Sequence, residues 1–201
     1  MSKTADWKAR PDDPVYQDMR DKILRSASEI IAETGVAGMR LDIVARRAGL
    51  ARSSLYRYFD GKDQVVFELL VFEFNKLTEK MLVATSHIDD SAEKFLEIMF
   101  LSVESFRTDP SLSRLLGAAN EKSVPMISFA LESLPDLMQP YLAEYGFFDS
   151  CSAEVRQRRY RHLALWMLQA IFSFGVFGNG GCSRAQEREL IRDMVEPVIR
   201  S

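Results

Sequence analysis

Apolar residues recur every three or four positions along most of this chain, and nowhere do they alternate at period two over a sustained stretch. That pattern predicts an all-α protein of about nine helices. A first helix is expected from about Val15 to Thr34, with Met19, Ile23, Ala27, Ile30 and Ile31 on one face and Lys22, Arg25, Glu29 and Glu33 opposite. Gly35 stands where such a helix ends. Leu41, Val44, Ala45 and Ala48 mark a short second helix, and Arg52 to Phe59 a third. A fourth is expected from Asp63 to about Ala84, capped by Asp60 or Asp63, followed by a fifth from Ser91 to Asp109. A sixth starts at Pro110 and ends near Asn120. Pro125, Pro135 and Pro140 break the segment 121–150 into short, kinked helices. The pattern resumes from Ala153 to Phe177. A tight turn follows at 178–181, and Ser183 caps a last helix to about Ile199.

The segment Arg40 to Lys62, RLDIVARRAGLARSSLYRYFDGK, organises the rest. Two short helices can cross closely only with a small residue at the contact and a glycine at the corner. Ala45 facing Leu55, with Gly49 between them, supplies both needs of a helix-turn-helix. Leu55, Tyr58 and Phe59 take the core side of the second of these helices, which leaves Arg52, Ser53, Ser54, Tyr56 and Arg57 pointing away. Arg and Ser side chains can hydrogen-bond base edges, while tyrosine hydroxyl and lysine ammonium groups reach phosphates. The segment therefore reads as a unit for double-stranded DNA. Arg52, Ser53, Ser54 and Arg57 would meet bases; Tyr56, Tyr58, Lys62 and Arg40 would hold phosphates or brace the helix. A solvated basic face on an ordinary helical domain is the plainer alternative.

Charge changes that picture. The 201-residue chain carries a formal net charge of −3. Arg40 to Lys62 nevertheless holds six basic residues against two acidic. Residues 1–62 hold 12 basic and 9 acidic side chains, and residues 63–201 hold 14 and 20. A basic front and an acidic back suggest that only the front meets nucleic acid. The expected organisation is an arm over 1–14, a helix-turn-helix domain over 15–62 and a helical domain over 63–201.

Other chemistry has little support. Cys151 and Cys182 are the only cysteines, far apart and without neighbours at metal-ligand spacing, so no metal or cofactor is expected. Two thiols of this kind suit a cytoplasmic protein. His87 and His162 are the only histidines, and there is neither a phosphate-binding glycine loop nor a paired-carboxylate motif, which argues against an enzyme. The start of the chain has no apolar core and does not read as a secretory signal. The longest apolar run, Leu163 to Phe177, is shorter than the roughly 20 residues of a membrane span.

The helix-turn-helix residues carry a resemblance. Val44-Ala45, Ala48-Gly49-Leu50, Leu55-Tyr56-Arg57-Tyr58-Phe59 and Lys62 resemble the signature of the TetR family of bacterial transcriptional regulators over about Arg20 to Leu70. Arg40 and Ala51 depart from it, since the family usually has Thr and Ser there. Each departure removes a hydroxyl N-cap that typically contributes ~1 kcal/mol. The resemblance implies a DNA-binding repressor whose helical domain takes a small, mostly hydrophobic effector, which shifts the fourth helix and releases the operator. Phe67, Phe74, Met99, Phe106, Phe129 and Trp166 are the pocket candidates it implies.

The last two helices form a hairpin with more apolar surface than one hairpin can hide. Leu168, Ile171, Phe172, Leu190, Met194 and Val198 are expected to meet their copies in a four-helix homodimer interface. The resemblance implies the same. A two-fold dimer would set two reading helices on a palindromic operator. The rival reading is a helical protein-interaction module whose headpiece does not read DNA.

Overall fold

The computed structural model describes residues 13–117, 124–177 and 181–200. These residues form nine helices and no strand: α1 Pro14–Gly38, α2 Leu41–Arg47, α3 Arg52–Leu55, α4 Lys62–Ala84, α5 Ser91–Thr108, α6 Pro110–Gly117, α7 Val124–Ala143, α8 Ala153–Phe177 and α9 Arg184–Ile199. Most of the arm expected over 1–14, the end of the sixth helix beyond Gly117 and the turn at 178–180 lie outside the described residues. So does the side chain of Phe129.

The chain divides into two compact units between Phe72 and Glu73. In the first, α1 starts on Asp13, whose carboxylate accepts from the Val15 amide at 3.0 Å, with Pro14 in the first turn. Regular helix breaks at Gly35 (φ 72°, ψ 172°), close to the expected end. Ile23, Ala27, Ile30 and Ile31 close over Val44, Ala45, Leu55 and Phe59, all buried. Arg20 stitches this unit from the side. Its guanidinium pairs with Glu68 at 2.5 Å and lies 5.1 Å from the centre of the Phe59 ring.

In the second unit α5 is central, packing on α6, α8 and α9, while α7 packs on α8. Phe95, Met99, Val103 and Phe106 of α5 are buried with Leu163, Met167 and Ile171 of α8 and Ile191, Val195 and Ile199 of α9. The α5–α8 crossing is close: a Cβ placed on Gly175 would lie 2.8 Å from the Phe106 Cβ, so only glycine fits without a shift. The capping at Ser183 is a full box, its hydroxyl accepting from the Gln186 amide and the Gln186 side chain from the Ser183 amide.

Two expectations are corrected. The proline-rich stretch is one helix, α7, with Pro135 and Pro140 inside it. Each internal proline removes a helical hydrogen bond, at a cost of about 3 kcal/mol. Leu134, Met138 and Leu142, four residues apart, bury a continuous apolar stripe that offsets this loss. The third helix is shorter than the expected Arg52 to Phe59: regular helix ends at Leu55. The Arg57 and Tyr58 amides bond back to Ser54 and Leu55 at 3.1 and 2.9 Å, a three-residue step that tightens the end into a turn.

Candidate nucleic-acid interface

The corner between α2 and α3 is a Schellman turn. The Leu50 amide bonds to the Ala45 carbonyl at 2.8 Å and the Gly49 amide to that of Arg46 at 3.1 Å. That geometry needs a left-handed residue at the corner, and Gly49 provides it with φ 77°. Ala45 and Leu55 are both fully buried where α2 packs on α3, so the three residues singled out from sequence stand together. Both short helices start without a side-chain cap, as Arg40 and Ala51 dictate.

A polar surface projects from this scaffold. Arg52, Ser53, Tyr56 and Arg57 are exposed and Ser54 is half-buried. Arg52 Nη2 donates to the Tyr56 hydroxyl at 3.4 Å, which raises the Arg52 pKa and ties two members of the face together. Tyr58 is turned toward the N-terminal end of α1, stacked on Tyr16 with ring centres 4.8 Å apart. Lys62 Nζ donates to the Ala37 carbonyl at 3.4 Å, so here it braces the end of α1. Arg40 stands exposed beside α2, its Nε 3.2 Å from Asp42, with Arg46 3.7 Å from the same carboxylate. Partial burial of Asp42 raises its pKa, but the Arg40 hydrogen bond and charge outweigh this and hold the group below its usual value.

Sequence reasoning missed three positioning contacts. Arg47 of α2 binds Glu33 of α1 through two parallel hydrogen bonds of 2.8 and 3.0 Å. That hydrogen bonding is the main cause of the lowered Glu33 pKa. The Tyr16–Tyr58 stack and the Arg20–Glu68 pair likewise tie the neighbouring segments to α1. Each joins residues more than ten positions apart, where no local spacing announces a partner.

The remaining candidates lie away from this surface. Phe67 is half-buried in the first unit. Phe74 of α4 meets Tyr141 of α7 edge-on at 6.3 Å. Met99 and Phe106 are core residues, and Trp166 lines a cavity between α8 and α9. Of the hairpin residues, Ile171 is buried and Leu168 and Phe172 are half-buried, whereas Leu190, Met194 and Val198 are exposed by 43, 47 and 48 %. Among the described residues no cluster of His, Cys, Asp or Glu is placed to hold a metal, and no helix is long and apolar enough to cross a membrane.

Comparison with known proteins identifies the headpiece. The family of bacterial regulatory proteins described as the tetR family matches residues 23–69. An uncharacterised HTH-type transcriptional regulator of Mycobacterium tuberculosis is 24 % identical over 179 residues, covering 89 % of this chain and 84 % of its own. IcaR, the HTH-type negative transcriptional regulator of the Staphylococcus aureus biofilm operon icaADBC, is 22 % identical over 188 residues, covering 90 % of this chain and all of its own. Among solved structures, RolR in complex with resorcinol shares the fold, with a TM-score of 0.66 at 13 % identity over 92 % of this chain and 93 % of that one. The helix-turn-helix geometry and these likenesses agree: residues 23–69 form a headpiece of the tetR family of bacterial regulatory proteins, and the chain as a whole is similar to HTH-type transcriptional regulators.

Proposed function

We propose that the protein binds a palindromic operator as a homodimer, acts as a repressor, and is released by a small, mostly hydrophobic effector held in its helical domain. The observation that carries the DNA reading is the exposed cluster of Arg52, Ser53, Tyr56 and Arg57 on a scaffold whose other side is buried. Arg52, Ser53, Ser54 and Arg57 read base edges. Tyr56 and Arg40 reach phosphates, and Tyr58 and Lys62 hold the short third helix in place. The dimer reading rests on Leu190, Met194 and Val198, four residues apart on α9, which leave an apolar stripe open along one face. The stripe suits a second copy, with Leu168, Ile171 and Phe172 of α8 beside it. The effector reading rests on the aromatic and methionine-rich helical unit, with Phe74, Met99, Phe106, Phe129 and Trp166 as wall residues, Phe67 belonging to the headpiece unit.

Selection from random duplex DNA, followed by anisotropy titration of the winner at several salt concentrations, tests this. A palindromic winner is expected, with log K falling against log salt by about 0.9 per phosphate neutralised. Arg57→Ala should weaken binding by about 1–3 kcal/mol and relax preference at one position in each half-site. No enrichment, with weak salt-insensitive binding, would make the headpiece a surface for protein partners instead.

A further inference from the structure

Asp42 is the sole carboxylate of α2 and α3. It stands in the first turn of α2, beside Arg40, to which the proposed function gives a phosphate. Two arginines close on it. Arg40 meets it side-on, donating from Nε to Oδ1 at 3.2 Å and from Nη2 to Oδ2 at 3.3 Å. Arg46 Nη2 lies 3.7 Å from the same Oδ2. The two arginine side chains are 71 and 78 % exposed, so both stay open to solvent while drawn to the carboxylate. Its charge reaches α3 as well. The raised Arg52 pKa comes first from the Tyr56 hydroxyl, and the Asp42 charge adds a smaller part.

A carboxylate in the first turn suits the positive end of a helix, which accounts for an acidic residue here. It does not account for Arg40 and Arg46 being drawn onto it. A negative charge beside phosphate contacts repels DNA. Each arginine it holds is also withdrawn from the counterion exchange that gives nonspecific binding its strength. Arg47 is bound to Glu33 of α1, so Asp42 governs the two other arginines around α2.

On a random duplex the complex is held by charge, and one phosphate serves as well as another. There Asp42 only subtracts. On an operator, base contacts from α3 fix the register, so the phosphate beside Arg40 occupies one place. A guanidinium already oriented by two parallel bonds meets it with less rotamer freedom left to lose. We infer that Asp42 is a specificity-determining positioning residue: it orients Arg40 for one operator phosphate and withholds Arg40 and Arg46 from random DNA. The inference rests on the DNA reading proposed above.

The test is Asp42→Asn in the full chain, which keeps the size and removes the charge. Anisotropy titrations compare the selected operator with a scrambled duplex of the same length and composition, at several salt concentrations. The scrambled duplex should bind about threefold tighter, with a log K against log salt slope steeper by about 0.9 as one more phosphate is engaged. The operator should bind about threefold weaker, so that the specificity ratio falls about tenfold. Arg40→Gln supplies the control for action through Arg40. In that background Asp42→Asn should tighten both duplexes alike and leave the ratio unchanged. Equal changes on the two duplexes with Arg40 present, or a ratio that falls as far without Arg40, would overturn the inference. A merely structural role at the start of α2 would lower Tm and weaken both duplexes together, which overturns it too. A parent that selects an operator beside an unchanged ratio in Asp42→Asn sinks this inference alone. A parent that selects none sinks the proposed function and the inference with it.

Discussion

Arg107→Met is expected to be among the most damaging single changes away from the DNA face. Glu187 of α9 is 1 % exposed, and Arg107 of α5 reaches it through two hydrogen bonds of 2.6 and 3.0 Å. The same guanidinium donates to the Phe174 carbonyl of α8 at 2.8 Å, so one side chain joins three helices. Methionine keeps much of the aliphatic volume and removes every donor. Truncating one partner of a buried pair leaves a carboxylate without its counter-charge, at about 3–5 kcal/mol, although the intact pair contributes far less once desolvation is counted. The asymmetry makes the test sharp. With a urea slope of about 2 kcal/mol per molar, a loss of about 4 kcal/mol lowers the midpoint by ~2 M. Trp166 on α8 provides the fluorescence probe. Arg107→Met combined with Glu187→Leu should recover most of that loss, because no charge is then stranded, and the cycle should report a large coupling. A shift below about 0.5 M in the single variant would refute the reasoning. A double variant worse than either single would do so too.

Three further outcomes follow from local geometry. Gly175→Ala gains up to about 1 kcal/mol of helix propensity but places a methyl 2.8 Å from the Phe106 Cβ. Overpacking costs of about 1–3 kcal/mol should win, so the variant melts lower; a higher Tm would mean that α5 and α8 yield easily. Gly49→Ala meets no steric obstacle beyond Lys22 Nζ at 3.6 Å, yet must hold φ 77°. The expected cost is about 1–2 kcal/mol, together with weaker operator binding in anisotropy titration. Tyr145 has its pKa pushed up to about 12 by burial, with the Glu144 charge adding to it. The folded value lies above the unfolded one near 10, so the stability this group contributes is whole below pH 10 and is lost as pH rises toward 12. Tyr145→Phe should flatten the fall in unfolding free energy across that window, and an unchanged slope would refute the assignment.

What could be read in advance separates by the range of the interaction that enforces it. The corner at Gly49 was legible because a Schellman turn needs its residues at fixed, short offsets, and Ala45, Gly49 and Leu50 occupy them. The capping box at Ser183 is legible for the same reason, and so is the apolar period that marks most of the helices. The length of α7 was not, because the prolines speak locally while the burial of Leu134, Met138 and Leu142 depends on α8, which packs against them from later in the chain. The shortness of α3 escaped for a related reason: its apolar spacing is nearly the same in an α turn and in the tighter turn that follows Leu55.

The same distinction divides the reading surface into parts that sequence and structure supply separately. Residue types at 52–57 are set by spacing from Leu55 and Phe59, since burying those two turns Arg52, Ser53, Tyr56 and Arg57 outward. How firmly that face is held is not a local property. It depends on Arg47 gripping Glu33, Tyr16 stacking on Tyr58, Lys62 closing on the Ala37 carbonyl and Arg20 bridging Glu68 and Phe59. All four of these ties end on α1. A four-residue helix such as α3, without a side-chain cap, has little stability of its own. Its geometry must therefore be borrowed from α1. A substitution such as Arg47→Ala, which removes no group from the exposed face, should weaken operator binding by loosening α2 and α3 while leaving base preference unchanged. Loss of affinity without loss of preference is the signature that separates a positioning residue from one that reads.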